Sequence, residues 1–137
     1  ELGMTSTHFC NPTGLHAPEH VSTVRDISVL LREAVRNEMF RKILTTERYT
    51  IQPTNLHPEG FTVTSTLLKE LNGDEIRNGK ILGGKTGYTS EAGLCLASIA
   101  EVKGKTYLLV TAGALGSHET EPYHIEDAVK TYRQLAR

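Results

Sequence analysis

Three apolar runs joined by very short connections constrain the last third of the chain more than any other feature. The runs cover residues 80–87, 94–102 and 106–112, and the last two are joined by the tight turn Lys103-Gly104-Lys105. A parallel crossover needs about a dozen residues or more, so runs joined this closely can pair only antiparallel. The sequence therefore predicts an antiparallel three-stranded meander, with glycines along its first strand.

Helical patterns flank the meander. Thr23 and Asp26 match a capping box, and the apolar residues that follow recur at helical spacing to about residue 44. Residues 49–52 and 61–64 alternate like the two strands of a hairpin. Pro122 suits the first turn of a closing helix, whose predicted buried side is Ile125, Ala128, Val129, Tyr132 and Leu135. This order of elements predicts an α+β fold.

Composition narrows the class of protein. The 137 residues fall within the size of one ordinary domain. The 15 Lys and Arg stand against 16 Asp and Glu, so no basic surplus is available to hold a phosphate backbone, and we expect no nucleic-acid partner.

The longest apolar stretch, residues 107–115, is too short to cross a bilayer, and the chain opens on Glu1 without a signal-like segment. We therefore expect neither a signal nor an anchor in this chain.

The two cysteines, Cys10 and Cys95, are not spaced as a metal or redox motif. We interpret them as small buried hydrophobic residues. A disulfide between them stays open as an alternative, because it requires an exported protein and a suitable geometry.

Two motif matches conflict with their surroundings. Residues 79–86 satisfy the P-loop pattern GxxxxGK[ST], but a polar segment precedes them and a turn and a strand follow, where a P-loop needs a strand and then a helix. Residues 16–20 satisfy the zinc-protease pattern HxxEH, but Pro18 lies inside the pentad, ahead of the predicted helix. A P-loop nucleotide-binding protein is kept as a remote alternative. The six histidines are expected in ordinary surface or partly buried roles, without a metal.

The segment Gly84-Lys85-Thr86-Gly87-Tyr88-Thr89, running into Ala92-Gly93-Leu94, resembles the KTG element of penicillin-recognising serine enzymes. Residues 8–16 (HFCNPTGLH) and 20–26 (HVSTVRD) narrow this to a resemblance to the D-alanyl-D-alanine carboxypeptidase family of low-molecular-mass penicillin-binding proteins. The similarity follows the family's order over essentially the whole chain. It implies the C-terminal portion of a catalytic domain of the penicillin-binding-protein and β-lactamase-like fold, with a helical and hairpin part over 1–78 and the KTG strand, meander and closing helix over 79–137.

The resemblance implies roles for four residues. Lys85 is the KTG lysine of the catalytic site, and its charge, with the Thr86 hydroxyl, can hold the free carboxylate of a peptide ending in D-Ala-D-Ala. Gly87 leaves room for substrate backbone along the strand edge. The Tyr88 backbone N–H is implied as one oxyanion donor. The family acts on peptidoglycan stem peptides outside the cytoplasmic membrane, binds β-lactams and needs no cofactor.

The family's nucleophilic SxxK serine and its SxN element are not found in this chain. None of its seven serines has Lys at the third following position or Asn at the second, and family order places both elements upstream of Glu1. We therefore expect a serine-type D-Ala-D-Ala carboxypeptidase as the parent protein, and no activity of this chain alone. The alternative is a non-catalytic module that binds muropeptides or β-lactams. A meander without its partner strands is expected to self-associate or to pair with the missing half.

Overall fold

The computed structural model describes residues 2–71 and 76–137. Within these residues the chain forms four helices and five strands, which confirms the predicted α+β class. The elements are α1 (Val24–Ala34), α2 (Glu38–Leu44), β1 (Arg48–Ile51), β2 (Phe61–Thr64), α3 (Thr66–Glu70), β3 (Gly79–Thr89), β4 (Gly93–Val102), β5 (Lys105–Ala114) and α4 (Tyr123–Leu135).

The predicted meander is confirmed. Strands β3, β4 and β5 form an antiparallel sheet in that order, so β4 lies in the centre. The register shifts between Ile81 and Gly83, where Leu82 forms a bulge in β3. Among the described residues, no strand pairs with the outer edge of β3 or of β5. The sheet therefore has one free edge at the KTG strand and another at β5.

The main core lies between the sheet and α4. Leu96, Ala100 and Val102 of β4 are buried with a cluster on the closing helix: Ile125, Ala128, Val129, Tyr132 and the following Ala136. Because side chains alternate along a strand, Ile99 points to the other face, and it is fully buried too. Burial on both sides shows that β4 is covered by other elements on each face.

One buried hydrogen bond ties the closing helix to the central strand. The side-chain oxygens of Ser98 and Tyr132 are 3.0 Å apart, and both residues are almost completely buried. Burial raises the pKa of Tyr132 to about 12, although the hydrogen bond with Ser98 partly opposes this. The pair therefore satisfies two polar groups that the core would otherwise leave unpaired.

The helix predicted from residue 23 to about residue 44 is two helices. The Asn37 side chain accepts a hydrogen bond from the Phe40 backbone N–H at 3.0 Å and begins α2 after a break at residues 35–37. Asparagine is a preferred cap because its side chain competes with the helical backbone, which the apolar periodicity does not reveal. The prediction of one continuous apolar face is wrong, since α2 buries no residue and Met39 is 63% exposed.

The capping box is half confirmed. The Thr23 hydroxyl accepts from the Asp26 backbone N–H at 3.1 Å, as predicted. The buried Asp26 carboxylate instead accepts hydrogen bonds from the Ser6 backbone N–H at 3.0 Å and the Thr7 hydroxyl at 2.7 Å. Asp26 thus anchors the N-terminal segment to α1.

Other predictions have mixed outcomes. The hairpin forms, with its first strand one residue earlier than predicted. The closing helix forms with Pro122 at its cap, but Leu135 is 42% exposed and the unpredicted His124 is buried.

Both cysteines are free; Cys10 is exposed and Cys95 half-buried, so the prediction that both are buried is wrong. Cys10 lies in the loop between residues 8 and 21, outside the buried core cluster.

Gly83 is required for the contact between α2 and the sheet. A Cβ atom at this position would lie 2.2 Å from the Leu44 carbonyl oxygen, whereas one at Gly87 would meet nothing within 4 Å. We expect Gly83→Ala to lower the free energy of unfolding by about 1–3 kcal/mol, because backbone cannot yield as a flexible side chain can. Urea denaturation measures this. Gly87→Ala is the matched control and is expected to change it by less than about 0.5 kcal/mol; equal effects would contradict the assigned contact.

Candidate active site

The four residues singled out by the sequence are consecutive on β3. Lys85, Thr86, Gly87 and Tyr88 pair with residues 97 to 94 of β4, and their other edge is unpaired among the described residues. We call residues 85–87 the KTG strand. Alternation places Lys85 and Gly87 on one face of the sheet and Thr86 and Tyr88 on the other. A ligand that contacts both Lys85 and Thr86 must therefore lie along the outer edge of β3.

Lys85 presents an uncompensated positive charge at this edge. Its side chain is exposed and its ammonium group donates to the neighbouring Thr86 carbonyl oxygen. No acidic side chain pairs with it among the residues that the structure describes. Because Gly87 has no side chain and no close neighbours, the space beside Lys85 is open. The positive charge of Lys85 therefore lies next to a space that a ligand can enter.

A loop spanning residues 8–21, here called the 8–21 loop, reaches the end of β3. Reciprocal backbone hydrogen bonds of 2.9 and 3.0 Å between His8 and Val21 close its base. Inside it, the Asn11 side chain accepts from the backbone N–H groups of Thr13 and Gly14, which fixes the tight turn expected of an Asn-Pro-x-Gly sequence. The loop is therefore held by its own hydrogen bonds.

A contact between a histidine and a glutamate side chain joins this loop to the turn between β3 and β4. His16 Nδ1 lies 3.7 Å from Glu91 Oε2, with both side chains about half exposed. Hydrogen bonds from the Glu91 backbone N–H and from the Ser90 side chain, with a smaller attraction from His16, lower the pKa of Glu91. The contact places the 8–21 loop beside the turn that follows β3, although 75 residues separate His16 from Glu91.

The two competing motifs have no support in this geometry. Residues 79–86 lie within strand β3, and the described chain continues into a turn and β4, whereas a P-loop leads into a helix. The pentad from His16 to His20 lies outside the helices. His16 faces Glu91, while His20 Nδ1 accepts from the Cys10 backbone N–H at 2.9 Å. The two imidazoles are engaged with different partners.

Tyr88 has a contact that the sequence did not indicate. Its ring meets the His118 ring edge to face, with centroids 4.9 Å apart and planes at 70°. His118 lies between β5 and α4, in the segment 115–122. Thirty positions separate the two residues, and no motif joins them. Only the three-dimensional fold shows this contact.

The family model for D-alanyl-D-alanine carboxypeptidase (peptidase S11) matches residues 1–116, which is most of the chain and includes the KTG strand and the 8–21 loop. The chain belongs to the D-alanyl-D-alanine carboxypeptidase family. The family assignment confirms the resemblance inferred from the sequence, and with it the partial penicillin-binding-protein type of fold.

Three similar proteins from bacteria agree with this assignment. The D-alanyl-D-alanine carboxypeptidase DacF of Bacillus subtilis is 31% identical over 114 residues, covering 83% of this chain and 28% of the relative. The DD-transpeptidase of Streptomyces K15 superimposes with a TM-score of 0.76 at 27% identity, over 98% of this chain and 50% of that one. Penicillin-binding protein D2 of Listeria monocytogenes, solved in its cefotaxime-bound form, superimposes with a TM-score of 0.66 at 27% identity. The match covers 97% of this chain and 50% of that one.

The chain thus spans about half the length of these solved relatives and less of the curated one. In the part that the structure describes, no helix is both long and apolar enough to cross a membrane.

His124 is the other residue that sequence reasoning missed. It lies in the first turn of α4, is 6% exposed, and its Nδ1 has no hydrogen-bond partner among the residues that the structure describes. Burial, and to a lesser extent the nearby His118, lowers the pKa of His124. A histidine was expected at the surface or partly buried, and only the packing of α4 against the sheet reveals otherwise.

Because its pKa is lowered on folding, His124 makes the fold sensitive to acid. The unfolded chain takes up a proton near the ordinary histidine pKa of about 6.5, whereas the folded chain resists it. Stability is therefore expected to fall as the pH drops below about 6.5. His124→Phe keeps a buried ring and removes the titration, so its loss of stability between pH 7 and pH 5 should be smaller. Urea denaturation at several pH values tests this; parallel curves for both proteins would contradict it.

Proposed function

We propose that this chain is the KTG-bearing, C-terminal portion of a serine-type D-Ala-D-Ala carboxypeptidase that trims peptidoglycan stem peptides outside the cytoplasmic membrane. The observation that carries the proposal is the exposed Lys85 ammonium, which has no acidic partner among the described residues and lies beside the open space at Gly87, on a strand edge that no described strand pairs with. Family membership supports it. The proposed division is a helical and hairpin part over 1–78 and the KTG part over 79–137.

The edge of β3 suits a peptide with a free terminal carboxylate. An extended peptide can add to an unpaired strand through backbone hydrogen bonds, and Gly87 offers no side chain to obstruct it. Lys85 can hold the terminal carboxylate electrostatically while the Thr86 hydroxyl donates to it from the other face of the strand. This arrangement selects a C-terminal residue rather than the middle of a chain. It also suits β-lactams, which carry a carboxylate near the reactive carbonyl.

Tyr88 is proposed to contribute its backbone N–H to the oxyanion site. Acyl transfer develops negative charge on the carbonyl oxygen, and a fixed N–H aimed at that oxygen stabilises the transition state. Tyr88 directly follows the KTG strand, so its amide lies one residue beyond the glycine that admits the substrate. Binding and acyl transfer would then use adjacent residues.

The nucleophile is proposed to come from a segment outside this chain. The chain contains no SxxK or SxN element, and it spans about half of its solved relatives. We define the full-length protein as a polypeptide in which this chain follows a segment that carries both elements. The chain alone is proposed to be inactive. A non-catalytic module that binds muropeptides or β-lactams is the second candidate, favoured by the lack of a nucleophile in this sequence.

Substitution of Lys85 tests the assignment. In the full-length protein, Lys85→Ala is expected to lower the rate of acylation by fluorescent penicillin about 10- to 100-fold, because a charge-assisted hydrogen bond contributes about 1.5–3 kcal/mol. Lys80→Ala, another exposed lysine of the same strand, is the matched control and should leave the rate unchanged.

This chain alone, in the same assay, should not be labelled at any serine. Unchanged acylation of Lys85→Ala would refute the role of Lys85. Covalent labelling of the isolated chain would refute its proposed inactivity, and reversible binding without acylation by the full-length protein would favour the binding module.

Association of the isolated chain is proposed to occur through β5. Its outer edge is unpaired, its centre reads Tyr107-Leu108-Leu109-Val110, and α1 contacts β5 while Val24 and Leu30 of that helix remain exposed. An apolar free edge readily adds a strand from another chain. Sedimentation velocity over a range of concentrations should therefore show dimers or larger species, which the missing half would suppress in the full-length protein. A monomer at every concentration, with cooperative melting, would contradict this.

A further inference from the structure

The segment 115–122 is folded tightly against the end of the KTG-bearing hairpin. Gly116 has a φ of +113°, and a Cβ atom there would lie 2.3 Å from Thr120 Oγ1 and 3.2 Å from Leu94 Cδ1. The Ser117 backbone N–H donates to Thr120 Oγ1 at 2.9 Å. Leu94 is the partner of Tyr88 in the β3–β4 ladder. The segment is therefore held by its own hydrogen bonds next to the strand pair that carries Tyr88.

His118 extends from this segment onto the Tyr88 ring. The centroid distance of 4.9 Å and the angle of 70° are an edge-to-face aromatic contact. The backbone of Tyr88 is supported by β4 on one side only, because the outer edge of β3 is unpaired among the described residues. The contact with His118 thus adds a restraint from a third segment of the chain.

We propose that His118 is a positioning residue for the oxyanion donor, acting through the Tyr88 ring; this inference rests on the proposed function of Tyr88. A donor stabilises the developing oxyanion only when it is held within hydrogen-bonding distance of that atom, so small displacements of the Tyr88 amide are costly. In this proposal His118 contacts the Tyr88 ring and not the substrate. Its effect should appear in the acyl-transfer step and not in the binding of the carboxylate by Lys85.

The experiment separates these two steps in the full-length protein. Acylation by penicillin is measured over a range of concentrations, which yields a dissociation constant and an acylation rate constant. His118→Ala is expected to lower the rate constant about 2- to 10-fold, as an edge-to-face pair contributes about 0.5–1.5 kcal/mol, and to leave the dissociation constant unchanged. His118→Phe retains an aromatic edge and should restore most of the rate.

The chain offers a matched control. His57 makes the same kind of contact with Phe61, with centroids 4.9 Å apart and planes at 63°, in the β1–β2 hairpin. His57→Ala removes an equivalent contact away from the KTG strand and should leave both constants unchanged. Thermal melting of each variant shows whether a loss of rate reflects a loss of folded protein.

The contact can also be tested independently of activity. In the isolated chain, His118→Ala should shift the NMR signals of the Tyr88 ring and amide, while His57→Ala should not. The inference is overturned if these signals do not move, if His118→Phe loses as much rate as His118→Ala in folded protein, or if His118→Ala acylates at the original rate. An unmodified protein that is never acylated contradicts the proposed function instead, and the Tyr88 signals then still decide whether the contact exists.

Discussion

Two consecutive glycines allow helices to approach β3 from both faces, and the position of the KTG strand depends on that approach. Gly83 lies against the backbone at the end of α2, and Gly84 lies against the Leu67 side chain of α3. A larger residue at either position would push a helix away from the strand. Lys85 follows immediately, so the packing that fixes Gly83 and Gly84 also fixes where the positive charge lies. Glycine here has a packing role, and the proposed binding role belongs to the residues that follow.

The meander and the closing helix could be predicted because local rules determine them. Short connections leave only antiparallel pairing, and the spacing of Ile125, Ala128, Val129 and Tyr132 matches a single buried helical face. The break before α2 could not be predicted from periodicity, because Asn37 ends the helical run through a hydrogen bond of its side chain. The composition of α2 suggested a buried face, yet the described part of the chain provides nothing to cover it.

The candidate site also has features that the sequence predicts and features that only the fold shows. The residues from Lys85 to Tyr88 could be proposed as site residues from the sequence because they are consecutive and their motif is local. The contact of His16 with Glu91 and that of His118 with Tyr88 join residues 75 and 30 positions apart. Such contacts depend on how the loops fold over the sheet, and no periodicity or spacing encodes them. The buried Asp26 and His124 were missed for a related reason, since burial of a polar side chain depends on the elements that surround it.

The two free edges of the sheet differ in charge and hydrophobicity, and they therefore differ in how readily they pair with another copy of the chain. The outer strand β3 carries Lys85 and four glycines, Gly79, Gly83, Gly84 and Gly87, whereas the centre of β5 is continuously apolar. Lysine at an edge discourages pairing with the strand of another copy, although its charge suits a peptide that ends in a carboxylate, and an apolar edge invites such pairing. The proposed association of copies through β5 would therefore leave the KTG edge accessible. A ligand that binds along β3 would remain able to reach its site even in an aggregated preparation.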